Sequence, residues 1–230
     1  MLQLCYAIIL NRAINPVAAD PKDVPMARFA ALSAAVIMGA LIGGSALYVT
    51  FAKPKSADDC RAGQVAGDIG GPFTLVDQTG KTVTDKQVFT KPALVYFGYT
   101  FCPDVCPLDN ARNGQAVDIL KTKGFDVNPV FITIDPARDT LPVMADYAAN
   151  FHPNMIALTG TPEQVDVASK AYRTFYQKQG DDAEFYMMNH SVLTYLVLPE
   201  TGFADFFDRE TTPEAMADRV ACFLQAAPAT

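Results

Sequence analysis

Two continuous apolar runs stand out along the chain. Residues 93–97 (Ala-Leu-Val-Tyr-Phe) lie between Pro92 and Gly98, and residues 130–134 (Val-Phe-Ile-Thr-Ile) precede an Asp-Pro pair. Short apolar runs that are rich in β-forming residues and bounded by turn formers are typical of central strands covered on both faces. The two runs therefore predict two buried strands.

Strand and helix patterns alternate around these runs. A turn signature at residues 77–81 predicts a small hairpin, and Thr161-Pro162 and Thr212-Pro213 are typical helix starts. Further strands are predicted over residues 154–158, 191–198 and 203–207. Helices are predicted over residues 106–123, 141–150 and 162–177, and from residue 213 onward. This order indicates a three-layer α/β fold of thioredoxin-like type.

The N-terminal part contains an uncharged apolar stretch over residues 29–51. It is long enough to span a bilayer, for which about 20 residues suffice. We expect an uncleaved transmembrane helix; the alternative is a cleaved signal peptide, whose apolar region is shorter. Residues 1–28 form a leader, with Met26 as an alternative start, and residues 52–69 form a tether to a domain over residues 70–227.

Charge and cysteine content restrict the partners and the location. The 230 residues carry a formal net charge of −7 and no basic run, which argues against nucleic acid as a partner. Basic residues on the two sides of the apolar stretch are balanced and do not decide its orientation. Because the domain-sized part carries four of the five cysteines, we place it outside the cytoplasm, in the periplasm or an equivalent space. Since free thiols are unusual there, we predict a disulfide between Cys60 and Cys222.

Cys102 and Cys106 carry the sharpest chemical signal. They lie in Phe-Gly-Tyr-Thr-Phe-Cys-Pro-Asp-Val-Cys-Pro (97–107), where a buried strand ends and a helix begins. A helix N-terminus favours the thiolate, and the spacing brings both sulfurs to one side of a helical turn. Soft sulfur ligands select Cu(I) or zinc, and one added imidazole suits copper in either oxidation state. The alternative is a structural disulfide or two buried apolar side chains.

The chain offers two histidines as a third ligand. His190 directly precedes a predicted strand whose start can approach the cysteine turn in a thioredoxin-like sheet, so we assign it to the metal. His152 follows a helix and is expected in a surface loop. Met187 and Met188 could lend a thioether to copper, although methionine beside a strand more often packs.

Three motifs in order resemble the SCO/SenC family. They are the cysteine motif over residues 96–107, the segment Thr-Ile-Asp-Pro-Ala-Arg-Asp-Thr over residues 133–140, and an Asn-His pair before the last strand. The resemblance covers the chain from Gly70 to Phe223. It implies a thioredoxin-like fold with one N-terminal anchor and a role in assembling the binuclear copper centre of cytochrome c oxidase.

The resemblance also implies the ligands and the partners. Cys102, Cys106 and His190 match the family's ligands for one copper ion. The partners are the copper-bearing oxidase subunit and another copper chaperone. Asn189 stands where many members have an aspartate. The motif residues Asp135, Arg138 and Asp139 either orient the site or meet a partner, or they form a capped turn with an ion pair.

Two functions remain open from the sequence. The first is a non-enzymatic metallochaperone that passes copper on by ligand exchange. The second is a thiol-disulfide oxidoreductase that reduces the cysteines of the copper acceptor. Three residues separate Cys102 from Cys106, whereas thioredoxin-type reductases have two between their cysteines. When oxidised and free of metal, the pair is expected to form a disulfide.

Overall fold

The structure is a computed structural model that describes residues 56–61, 63, 68–182 and 184–226. The predicted leader over residues 1–28 and the predicted membrane helix over residues 29–51 lie outside the described residues. Among the residues described, no helix has the length and apolar character needed to cross a membrane.

The centre of the domain is a seven-stranded mixed sheet, beside which a two-stranded hairpin forms a second sheet. The strands of the described part are β1 Thr74–Asp77, β2 Thr82–Thr84, β3 Ala93–Gly98, β4 Asn128–Thr133, β5 Ile156–Thr159, β6 Tyr176–Gln179, β7 Met187–His190, β8 Thr194–Leu198 and β9 Gly202–Phe207. The large sheet has the order β2-β1-β5-β4-β3-β8-β9, whereas β6 and β7 pair with each other. Strand β3 is parallel to β4 and antiparallel to β8, and all six of its residues are buried. The apolar runs thus form neighbouring central strands.

Helices cover both faces of the large sheet. In the described part they are α1 Ala57–Cys60, α2 Asp85–Val88, α3 Val105–Thr122, α4 Leu141–Phe151, α5 Pro162–Ala171 and α6 Pro213–Gln225. Neighbouring β3 residues point to opposite faces. Leu94 joins the apolar cluster of α3 and α6, and Val95 joins the cluster of α4 and α5. The predicted starts of α5 and α6 are present, because Thr161 and Thr212 each accept a backbone N–H of the first turn.

A disulfide joins the start of the described chain to its last helix. Cys60, at the end of α1, is bonded to Cys222 in α6 with an S–S distance of 2.05 Å and a Cα separation of 5.7 Å. Cys60 is buried against the α6 side of the core, and the next residue, Arg61, donates a hydrogen bond to the carbonyl of Ala204. The middle of the predicted tether is therefore held on the domain.

The predicted helix over residues 162–177 is wrong at its C-terminal end. Helix α5 stops at Ala171, and Arg173 adopts a left-handed backbone conformation with φ of 52°. Beyond it, β6 pairs antiparallel with β7, so that Tyr176 lies opposite His190. Pairing with another strand thus overrides the helical pattern of these residues. The predicted strand over residues 191–198 also differs, because β8 begins only at Thr194.

Candidate metal centre

The two free cysteines of the described part lie where β3 leads into α3, Cys102 in the connecting turn and Cys106 in the first turn of the helix, and Gly98 allows this junction to pack closely. A Cβ atom at Gly98 would lie 2.9 Å from the Sγ of Cys106 and 3.0 Å from the ring of Phe131. Real Cβ atoms do not approach other heavy atoms at 2.9 Å. Gly98 is therefore required for the close approach of Cys106 to the strand.

The sulfur of Cys102 takes the place of a helix cap. Asp104 is the N-cap residue of α3, but its side chain makes no capping hydrogen bond. Instead the backbone N–H of Cys106 donates to the Sγ of Cys102 at 3.4 Å. A sulfur in this position faces the positive end of the helix dipole, which favours its thiolate form.

The two thiols differ in their acidity. The pKa of Cys102 is lowered, first because the Cys106 thiol donates a hydrogen bond to it and then because backbone N–H groups at Cys106, Asp104 and Val105 do so. The pKa of Cys106 is raised because its thiol is the donor of that bond and is buried. Of the two thiols, Cys102 is therefore the one that ionises more readily.

His190 completes the cluster from the end of β7. Its Nε2 lies 3.4 Å from the Sγ of Cys106, and its Nδ1 lies 2.8 Å from the carbonyl oxygen of Ser191. Since a carbonyl only accepts, Nδ1 carries a proton, and Nε2 is the ring nitrogen that faces the sulfur of Cys106. The ligand atoms of Cys102, Cys106 and His190 all lie within 4.8 Å of one another, which makes a three-donor site of two sulfurs and one imidazole.

Two tyrosines that the sequence reasoning did not single out enclose the histidine. The rings of Tyr96 and Tyr99 meet the imidazole edge-on, with centroids 6.2 and 5.8 Å away. The hydroxyl of Tyr99 accepts the backbone N–H of Met188 at 3.3 Å. Their signal in the sequence is a tyrosine hydroxyl within or directly after a strand predicted to be buried, because a buried hydroxyl requires a hydrogen-bond partner.

A buried charge cluster lies behind the site and was also missed. Tyr96 donates from its hydroxyl to Asp109 at 3.0 Å, and Asp109 pairs with Arg112 at 3.5 Å and with Arg209 at 3.7 Å. Burial raises the pKa of Asp109, and the two arginines oppose that shift. Arg112 also donates to the hydroxyl of Thr194 at the start of β8. The cluster ties β3, α3 and β8 together beneath the cysteine turn.

Asp139 holds the ends of the two central strands. It is fully buried, and its carboxylate accepts the backbone N–H of Thr100 at 3.1 Å, the hydroxyl of Thr100 at 2.6 Å and the hydroxyl of Thr133. Burial raises the pKa of Asp139, and these hydrogen bonds oppose the shift. Asp139 thus connects the loop that carries Cys102 to the end of β4.

The other candidate ligands lie elsewhere. His152 is buried, not in a surface loop as expected: its Nδ1 accepts the backbone N–H of Asn154 at 3.0 Å and its Nε2 lies 3.4 Å from Asp118. The sulfur of Met187 lies 3.9 Å from the Tyr99 hydroxyl, and Met188 packs against the apolar core. Neither His152 nor the exposed Asn189 belongs to the three-donor cluster.

Comparisons with known proteins agree on one family. The SCO1/SenC family model matches residues 61–225. Protein SenC of Rhodobacter capsulatus is 51% identical over 204 residues, which are 86% of this chain and 90% of that protein. The copper-bound structure of ScoI from Arabidopsis thaliana is 39% identical, with a TM-score of 0.65 over 68% of this chain and 98% of that one. Copper-bound ScoI from Bradyrhizobium japonicum is 37% identical, with a TM-score of 0.62 over 67% and 99%. These neighbours confirm the predicted thioredoxin-like α/β fold.

Proposed function

This chain belongs to the SCO1/SenC family, and on that premise we propose that it binds one copper ion through Cys102, Cys106 and His190. The observation that carries the proposal is the meeting of two sulfurs and one imidazole nitrogen within 4.8 Å. Thiolates suit Cu(I), and an added imidazole suits Cu(II). Copper is present in the solved structures of two relatives, the ScoI proteins of Arabidopsis thaliana and Bradyrhizobium japonicum.

The bound copper is cargo in this proposal. The protein is a metallochaperone that passes copper to the copper-bearing subunit of cytochrome c oxidase and so helps to assemble its binuclear centre. It acts at a membrane, anchored by residues 29–51, with residues 70–227 in the periplasm or an equivalent extracytoplasmic space. Another copper chaperone loads the site.

The acidity of the two thiols suggests an order of events. The Cys102 thiolate binds copper first, and Cys106 releases its proton when its sulfur joins. Nε2 of His190 completes the site for Cu(II), whereas two thiolates suffice for Cu(I). Cys102 is 7% exposed and Cys106 is 0% exposed, so the thiolates of an acceptor displace the Cys102 sulfur first. Copper then leaves with the acceptor without change of oxidation state.

The second candidate is thiol-disulfide exchange, which the lowered pKa of Cys102 favours. The Cys102 thiolate would attack one sulfur of an acceptor disulfide, and the other sulfur would leave as a thiolate. Cys106, once deprotonated, would then attack the mixed disulfide and release the reduced acceptor. Two electrons pass from this dithiol to the acceptor, and His190 has no part in the step.

Copper titration of the full-length, reduced chain tests the proposal. We expect stoichiometric copper in the wild type, loss of binding in Cys102→Ser and Cys106→Ser, and weakened Cu(II) binding in His190→Ala. The matched control is His152→Ala, which removes the other histidine and should bind copper as the wild type does. Equal binding by all five proteins would refute the copper site.

The same variants separate the two functions. Reduction of a small aromatic disulfide should be lost in Cys102→Ser and retained in His190→Ala, because exchange requires only the dithiol. Transfer of Cu(II) to a peptide with the acceptor's copper ligands should fall in His190→Ala. Disulfide reduction by the wild type without measurable copper transfer would favour the oxidoreductase.

A further inference from the structure

His190 is held in place by contacts other than the main sheet. It lies at the end of β7, and in the described part β7 pairs with β6 in a sheet of its own. Cys102, in contrast, lies in the turn that follows β3, and Cys106 lies in the first turn of α3. The distance from the imidazole to the sulfurs therefore depends on the three residues that link His190 to β8 and on the side chains that attach this hairpin to the rest of the domain.

Arg138 makes several of these contacts. Its Nε forms an ion pair with Asp135 at 2.5 Å, and its Nη1 donates to the backbone carbonyl of Tyr186 at 2.9 Å. Its guanidinium also lies 3.5 Å from the centroid of the Tyr186 ring. The Tyr186 hydroxyl donates to the other carboxylate oxygen of Asp135 at 2.6 Å. Asp135, Arg138 and Tyr186 thus form a closed triangle, here called the latch.

The latch is shielded from water. Asp135 is 4% exposed, Tyr186 is 9% exposed, and the side chain of Arg138 is 13% exposed. Charge-assisted hydrogen bonds and cation–π contacts are stronger in such surroundings than at the surface. Removal of Arg138 or Asp135 would leave the other charge buried and unpaired, whereas removal of the Tyr186 hydroxyl would leave the ion pair in place.

The latch also reaches the cysteine side of the site. The guanidinium of Arg138 lies 4.8 Å from the ring centroid of Phe101, the residue directly before Cys102, and 5.7 Å from that of Tyr99. Tyr99 in turn faces His190 and accepts the N–H of Met188. One side chain therefore contacts both the segment that carries a sulfur ligand and the hairpin that carries the imidazole.

We propose that Asp135, Arg138 and Tyr186 are positioning residues that hold His190 against the two cysteines and thereby set the affinity for Cu(II). The inference rests on the copper site proposed above. Cu(I) is satisfied by the two thiolates, so the latch acts on one oxidation state. Loss of a residue that orients a metal ligand lowers metal affinity by roughly 10- to 100-fold.

The test compares Arg138→Ala, Arg138→Lys and Tyr186→Phe in the full-length, reduced chain. Cu(II) is followed by its thiolate charge-transfer absorption and by the nitrogen hyperfine coupling in its paramagnetic resonance spectrum, and Cu(I) by competition with a chelator. Arg138→Ala should lose the nitrogen coupling and bind Cu(II) roughly 10- to 100-fold more weakly, with unchanged Cu(I) affinity. Arg138→Lys should not restore the coupling, because lysine lacks the planar fork that serves both partners.

Tyr186→Phe is the milder variant. It keeps the stacked ring and loses only the hydroxyl that donates to Asp135, so its Cu(II) affinity should lie between those of the wild type and Arg138→Ala. It also provides the test if Arg138→Ala does not fold, as judged by its unfolding transition.

Arg219→Ala is the matched control. Arg219 also stacks on an aromatic ring, that of Phe207, and pairs with a buried aspartate, Asp205, but its contacts lie on α6 and β9. This variant should keep the wild-type copper spectra. The same spectral loss in Arg219→Ala, or an equal fall in Cu(I) affinity in the latch variants, would overturn the inference. Either result would show that the variants act through a general loss of stability.

His190→Ala distinguishes the two levels of failure. If it loses the nitrogen coupling while Arg138→Ala and Tyr186→Phe keep both the coupling and the wild-type Cu(II) affinity, the latch is refuted and the copper site stands. If His190→Ala is indistinguishable from the wild type, His190 is not a ligand, and both proposals fall.

Discussion

The two parts of the metal centre are built in different ways. Cys102 and Cys106 are buried where α3 follows β3, a strand that is paired on both sides within the large sheet. His190 is half-buried on the β6–β7 hairpin, whose strands in the described part pair only with each other. The sulfurs are therefore placed by the core, and the imidazole is placed by side-chain contacts.

This difference fits a protein that binds an ion and then releases it. A core position resists displacement because its neighbours are close-packed. A hairpin held by a few side chains opens at lower free energy than the core, since stability is not uniform across a structure. We expect the cysteine pair to keep its geometry through binding and release, while the imidazole moves.

The largest effect is expected at Asp139, on the cysteine side. Asp139→Ala removes the acceptor of three hydrogen bonds from Thr100 and Thr133. The free energy of unfolding should fall by about 3 kcal/mol, since each buried donor without a partner costs about 1–3 kcal/mol. Denaturant unfolding of the full-length chain measures it.

Asp126→Ala is the control for this prediction. Asp126 is exposed and pairs at the surface with Lys91, and such pairs contribute less than about 1 kcal/mol. Equal destabilisation by Asp139→Ala and Asp126→Ala would show that the strand ends do not depend on the buried carboxylate.

The next largest loss of stability is expected for a substitution at Gly98. Gly98→Ala places a methyl group 2.9 Å from the Sγ of Cys106, and overpacking of this kind costs about 1–3 kcal/mol. Because Cys106 must shift, copper affinity should fall together with stability. Gly71→Ala is the control, since its Cβ would meet nothing closer than 3.4 Å. Unchanged copper binding in a folded Gly98→Ala protein would mean that the site tolerates movement of this sulfur.

A smaller loss of stability is expected for a substitution in the β6–β7 hairpin. Gly180 has φ of 81° and lies in the segment that connects β6 to β7. Gly180→Ala should introduce about 1 kcal/mol of backbone strain. Native-state hydrogen exchange should quicken at the amides of β6 and β7 and not at those of β3. Gly180→Asn should be milder, because asparagine tolerates this conformation. Equal acceleration in β3 would contradict the separation of hairpin and core.

The last prediction concerns the reactivity of Cys102 at different pH values, and it has the smallest expected effect on the fold. The lowered pKa of Cys102 means that its thiolate persists at pH values below the ordinary thiol pKa of about 8.5. In the reduced, copper-free chain, an alkylating reagent should therefore modify Cys102 in mildly acidic solution and leave Cys106 unmodified. Peptide mapping by mass spectrometry at a series of pH values measures this. Modification of both cysteines with the pH profile of a free thiol would contradict it.

Local signals in the sequence determined much of the fold. The apolar runs that became β3 and β4, the capped starts of α5 and α6, and the placement of Cys102 and Cys106 at a strand-to-helix junction can all be predicted from neighbouring residues. Chain-local physics sets these features, because periodicity, capping and turn formation involve residues close in sequence. The sequence makes His190 a candidate ligand because the chain has two histidines.

Only the tertiary structure decided how that histidine meets the cysteines. The end of the predicted helix at residue 177 became β6 because Tyr176 pairs with His190, fourteen positions along the chain. The latch brings Arg138 onto Tyr186, 48 positions away. Local pattern carries no record of such contacts, because their free energy comes from burial and from partners that folding brings together.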